Sequence, residues 1–98
     1  MLTRIVRLEF KTDQTEKFEK IFSESKVLIR NFEGCEYLSL HKDFENPALY
    51  YTVSKWTSED ALNQYRDSSL FKTTWSKTKV LFDGKPRAFS LNQLEELL

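Results

Sequence analysis

Twice in 98 residues a stretch with the two-residue period of a strand passes into one with the period of a helix, and this double succession admits few folds. Met1 to Phe10 alternates, with Leu2, Val6, Leu8 and Phe10 on one face and Thr3, Ile5, Arg7 and Glu9 on the other. Arg4 falls on the apolar face. Thr12 to Glu16 supplies helix-capping candidates with an acidic residue one turn on. Phe18, Ile21, Phe22, Ser25, Leu28, Ile29 and Phe32 then recur every three or four residues, which predicts an amphipathic helix of about five turns. Gly34 closes it, because glycine adopts the left-handed conformation after a helix without steric cost.

Cys35 to Lys42 predicts a second strand, neither of whose faces is fully apolar. Asp43 to Ala48 combines turn formers with Pro47, a hairpin loop, and Leu49 to Trp56 forms the third strand. Thr57 or Ser58 caps a helix opening with Glu59 and Asp60, whose charges suit the positive end of the helix dipole, and burying Ala61, Leu62 and Tyr65. After the break at Asp67-Ser68-Ser69, helical spacing resumes through Phe71, Thr74, Trp75, Thr78, Leu81 and Phe82 and stops at Asp83-Gly84. Arg87 to Leu91 predicts a fourth strand, and Leu91, Leu94, Leu97 and Leu98 give a helical tail with an apolar stripe. The result is one α+β domain over residues 1–98, a ferredoxin-like split β-α-β arrangement with its helices on one face of a four-stranded antiparallel sheet.

The other face of such a sheet is open. Ile5, Tyr50, Trp56 and Phe89 are expected there, and two sheets meeting face to face would cover them, so the sequence predicts a homodimer forming an α/β barrel, with residues 91–98 reaching onto the partner. Fifteen basic against fifteen acidic residues leave no net charge, which argues against nucleic-acid and membrane-surface binding. Cys35 stands alone, with no Cys or His at metal-ligand spacing, so neither a disulfide nor a metal is expected. With no leader-like segment and no apolar run approaching the ~20 residues of a membrane span, a cytoplasmic location is expected.

Phe32-Glu33-Gly34-Cys35, and above all Lys55-Trp56-Thr57-Ser58-Glu59-Asp60-Ala61-Leu62 followed by Ser68-Ser69-Leu70-Phe71, resemble the antibiotic biosynthesis monooxygenase (ABM) family of dimeric α/β barrels. Lys77 to Phe82 through Lys85-Pro86 is similar to small bacterial members. The resemblance implies a homodimer and, in some members, oxygenation of phenols or quinols without a cofactor. Other members degrade haem, using an Asn, a Trp and a His that fall at Val6, Tyr65 and Trp75 here, so that activity is not expected.

Oxygenation without a cofactor needs an ionised phenol or enol in a dry pocket, with polar partners for the oxyanion and aromatic walls. Trp56, Tyr65 and His41 are the catalytic candidates. A pocket for a small aromatic molecule is expected to draw on Arg4, Tyr51, Trp56, Tyr65, Phe71 and Trp75. Each has a plainer reading as well. The aromatics can be core, His41 a solvated strand end, and Arg4 half of an ion pair with a carboxylate. Cys35 reads as an inert small apolar residue, and Lys72, Lys77 and Lys79 as a solvated helix face. A non-catalytic small-molecule binder on the same barrel is the alternative function.

Overall fold

The computed structural model covers residues 1–98 and contains β1 (Leu2–Glu9), α1 (Thr15–Arg30), β2 (Cys35–Lys42), β3 (Leu49–Trp56), α2 (Glu59–Arg66), α3 (Ser69–Lys79) and β4 (Arg87–Asn92). The four strands form one antiparallel sheet in the order β2-β3-β1-β4, the ferredoxin-like α+β arrangement. β1 lies between partners made much later in the chain. It pairs with β3 from Leu2↔Trp56 to Glu9↔Leu49 and with β4 from Leu2↔Asn92 to Arg7↔Arg87.

These registers decide which side chains the helices cover. Even-numbered positions of β1, β3 and β4 share the covered face, so Tyr50 and Trp56 lie beside Leu8 and Leu2 and are each 1% exposed. That corrects the expectation of an open-face Tyr50 and Trp56; parity within a strand is visible in a sequence, but register against a neighbour is not. Ile5 and Phe89, paired with one another, do lie on the uncovered face.

Only 14 of the 98 residues are buried, and eight of them form two separate apolar clusters of five and three rather than one core. Leu8, Phe10, Phe18, Tyr50 and Leu81 make the first, where Phe10 stacks on Phe18 at 4.2 Å and on Phe82 at 5.1 Å between ring centroids. Cys35, Trp56 and Leu62 make the second. Ser58 caps α2 by accepting from the Ala61 amide at 3.1 Å, and Ser68 caps α3 by accepting from the Phe71 amide at 3.1 Å.

Three local expectations are corrected. α1 is capped at Gln14, within the expected Thr12 to Glu16 stretch but with no side-chain hydrogen bond, and Leu28, expected on the apolar stripe, points to solvent while Phe18, Ser25 and Ile29 are buried. α3 stops at Lys79, because Leu81 and Phe82 turn back to pack on β1, where the Lys11 amide donates to the Leu81 carbonyl at 3.0 Å. Beyond Asn92 the chain has no regular structure, and Leu94, Leu97 and Leu98 are exposed. A six-residue segment with nothing to pack against is far below the ~12 residues an isolated helix needs. Its one ionic anchor is Glu96, 3.2 Å from Lys55 Nζ.

A polar knot closes the first cluster. The buried Tyr50 hydroxyl donates to Glu19 of α1, and Lys42 Nζ stands 3.4 Å from the same carboxylate. The Tyr50 hydrogen bond, followed by the Lys42 charge, holds the Glu19 carboxyl below its usual 4.5. A depressed carboxyl contributes stability that is full above its unfolded value and lost as pH falls through the folded one. Thermal melts of the wild type should therefore decline with acidification below about 4.5, and Glu19→Gln should be less stable than wild type at neutral pH yet show a shallower acid decline. Parallel melting curves for the two proteins across that range would refute this.

Candidate functional site

Between the two clusters the covered face leaves a cavity of about 400 Å³, within the ~300–1,000 Å³ of small-molecule sites. Both clusters contribute to its wall, Leu8 and Phe18 from the first, Trp56 and Leu62 from the second. The floor is the sheet, through Arg4, Val6, Leu38, Thr52 and Ser54. The roof is α2 and α3, where Leu62, Tyr65 and Arg66 stand at helical spacing, as do Phe71, Thr74, Trp75 and Thr78. Pro86, and Ala88 of β4, also line the cavity.

Of the residues expected in a pocket, Arg4, Trp56, Tyr65, Phe71 and Trp75 line this cavity. Tyr51 does not. It pairs with Arg7 and His41 on the opposite face of the sheet, one residue out of phase with Tyr50. His41 is likewise exposed on that face, with Nε2 2.8 Å from Ser39 Oγ, and cannot act on a cavity ligand. Arg66 was missed, although its place four residues after Leu62 puts both on one helix face.

The aromatic wall is continuous. Trp56 stacks on Tyr65 at 5.0 Å, Tyr65 meets Phe71 edge-on at 5.3 Å, and Phe71 lies nearly parallel to Trp75 at 5.8 Å. Trp56 is fixed further by its indole N–H, which donates to Ser54 Oγ at 2.9 Å. Burial, and then the nearby Cys35, push the Tyr65 phenol up to about 12. Tyr65 therefore keeps its proton at neutral pH. Burial also raises the Cys35 thiol, which disfavours the thiolate form.

The polar content of the cavity is one-sided. Arg4 donates from Nη1 to Ser90 Oγ at 2.9 Å and makes no ion pair, contrary to the expected carboxylate partner. Arg66 also lines the cavity and is also free of any carboxylate. Arg87 contributes to the lining, but its guanidinium lies 5.2 Å over the Phe89 ring. No Asp, Glu or His lines the cavity. Nowhere do three or more His, Cys, Asp or Glu side chains gather as metal ligands, and no helix is long and apolar enough to cross a membrane.

A sequence profile for "Antibiotic biosynthesis monooxygenase" matches residues 1–76. Among solved structures, one described as an antibiotic biosynthesis monooxygenase superposes with a TM-score of 0.91 at 15% identity, covering 97% of this chain and 100% of its own. A conserved protein from Methanosarcina mazei Go1 superposes at 0.88 with 19% identity, over 95% of this chain and 93% of that one. A Mycobacterium tuberculosis protein gives 0.89 at 17% identity, with 97% and 96% covered. At these identities the superpositions speak for the fold. No curated protein sequence matches.

Proposed function

Because the chain belongs to the antibiotic biosynthesis monooxygenase family, we propose that its cavity binds a small phenolic or quinol-like molecule and presents it to dioxygen without a cofactor. The observation that carries this reading is the continuous aromatic wall of Trp56, Tyr65, Phe71 and Trp75 around an open volume between the two clusters. A planar aromatic ligand gains offset stacking there, about 1 kcal/mol per ring pair beyond burial. In the proposed reaction the ligand loses a phenolic or enolic proton to water at the mouth. The resulting oxyanion, accepting a hydrogen bond from neutral Tyr65, gives an electron to dioxygen. Combination of the two radicals forms a C–O bond, and O–O cleavage expels water. A ring CH₂ and O₂ thus become C=O and H₂O, the carbon losing the four electrons that dioxygen gains.

Oxygen-electrode measurements with a panel of anthrone-like and 1-naphthol-like substrates test this. Uptake should be stoichiometric with quinone formation, and Trp75→Ala should lower kcat/KM about fivefold or more for loss of one stacking wall. Absence of uptake across the panel would sink the oxygenase reading. The second reading, a non-catalytic binder, is favoured by the lack of any carboxylate or imidazole base in the cavity lining. Saturable binding of the same compounds without oxygen consumption would establish it.

The proposal includes a homodimer formed through the uncovered sheet face. Ile5, Tyr51 and Val53 are part-exposed there, and Phe89 and Leu91 are exposed, in a chain whose own core is small. Light scattering should give twice the monomer mass at micromolar concentration. Val53→Arg, which places a charge at the centre of that face, should halve it while the fold persists by circular dichroism; a wild-type monomer would refute the dimer.

A further inference from the structure

We infer that the cavity takes an aromatic carboxylate, with the anionic group held between Arg4 and Arg66 and the ring laid against the aromatic wall. The inference rests on the cavity being a ligand site and specifies what that ligand carries. Arg4, half-buried, comes from the floor and Arg66, exposed, from the roof, so the cavity lining has a basic residue on both the sheet and α2. Neither meets a carboxylate of this chain, although the chain has fifteen acidic residues to spend. Two like charges facing one apolar volume repel, and a half-buried cation without a counter-ion is costly to keep. Burial and then the Arg66 charge both disfavour the charged form of Arg4, as expected where an anion belongs.

Geometry favours a carboxylate over a phosphate. Ser90 Oγ engages Nη1 of Arg4 and fixes the guanidinium plane, leaving further N–H groups as a fork suited to two coplanar oxygens. Phosphate sites ordinarily add free backbone amides at a helix N-terminus. Here the one first-turn amide among the roof residues, that of Phe71, is already taken by Ser68 Oγ. With Arg87 turned to the Phe89 ring, the cavity offers about two positive charges.

Isothermal titration calorimetry of the intact protein with 2-naphthoate, 2-naphthamide and 2-naphthyl phosphate tests the assignment. The naphthoate should bind at least about tenfold more tightly than the isosteric amide, the scale of a charge-assisted hydrogen bond, and weaken with added salt. Arg66→Gln, at an exposed helix position that leaves the core untouched, should weaken the naphthoate more than the amide and so narrow the gap between the two affinities. Arg4→Gln should do the same, and Arg4→Lys should restore part of the preference. Equal affinity for naphthoate and amide in the wild type, or no saturable naphthoate binding, overturns the proposal. Tighter binding of the naphthyl phosphate overturns the choice of carboxylate. Oxygen uptake plays no part in these readouts. A carboxylate preference without turnover upholds this site and removes the oxygenase, whereas turnover of a neutral quinol with no such preference does the reverse.

Discussion

Trp56→Ala is expected to remove most of the stability of the fold, about 3–5 kcal/mol, as large aromatic truncations in cores do. Trp56 is 1% exposed, the largest side chain among the fully buried residues, and holds the second cluster together with Cys35 and Leu62. Three losses coincide on truncation. The buried ring area goes, the stack on Tyr65 goes, and Ser54 Oγ is left buried without the indole N–H that now donates to it. Against a total of about 5–10 kcal/mol for a domain of this size, the variant sits near its unfolding midpoint. Trp56→Phe keeps a ring in the stack and should cost less than half as much. Urea titrations of the three proteins, followed by far-ultraviolet circular dichroism, measure both differences. A loss below about 1 kcal/mol for the alanine variant would show that the cluster does not support the fold.

A comparable loss is expected at Gly34, for a different reason. Its φ is +89°, the left-handed region that a side chain resists, and a Cβ there would stand 2.5 Å from the Ala61 Cβ and 3.1 Å from Thr57 Oγ1. The Gly34 carbonyl also accepts from the Thr57 amide at 2.9 Å, so the turn after α1 and the entrance to α2 are pressed together at this one residue. Gly34→Ala should cost about 1–2 kcal/mol for the backbone and a further 1–3 for the collision. A double-mutant cycle separates them. In an Ala61→Gly background the collision is relieved and only the backbone part should remain. Costs that simply add across the cycle would mean that the contact with α2 has no energetic weight.

The element order could be read from the sequence because periodicity survives in single segments: the alternation of Met1 to Phe10 and the spacing of Phe18 to Phe32 each declare a type without reference to neighbours. What depends on neighbours could not. Tyr50 and Tyr51 are adjacent and chemically alike, and only the register with β1 sends one into the core and the other to the open face. Arg4 was recognisable as an anomaly on an apolar face, but its lack of an acidic partner emerges only when the sheet and α2 are brought together. Arg66 was hidden by its type, since a basic residue in the last turn of a helix is adequately explained by the helix dipole. The helical reading of Leu91 to Leu98 followed an apolar spacing, but within the single chain the stripe has nothing to pack against.

The central place of β1 also bears on how the protein is made. Made before both of its neighbours, it must wait for Leu49 to begin one and for Arg87 to begin the other. At roughly 5–20 residues per second, the second wait lasts on the order of 4–16 s. Until β3 is made both edges of the strand are bare, and until β4 is made one still is, open to pairing with any other nascent chain. Arg4, Arg7 and Glu9 interrupt its apolar residues with charge, the usual safeguard against such pairing. Arg4 thus has a use before the cavity exists: it helps keep the newborn strand soluble until its partners arrive.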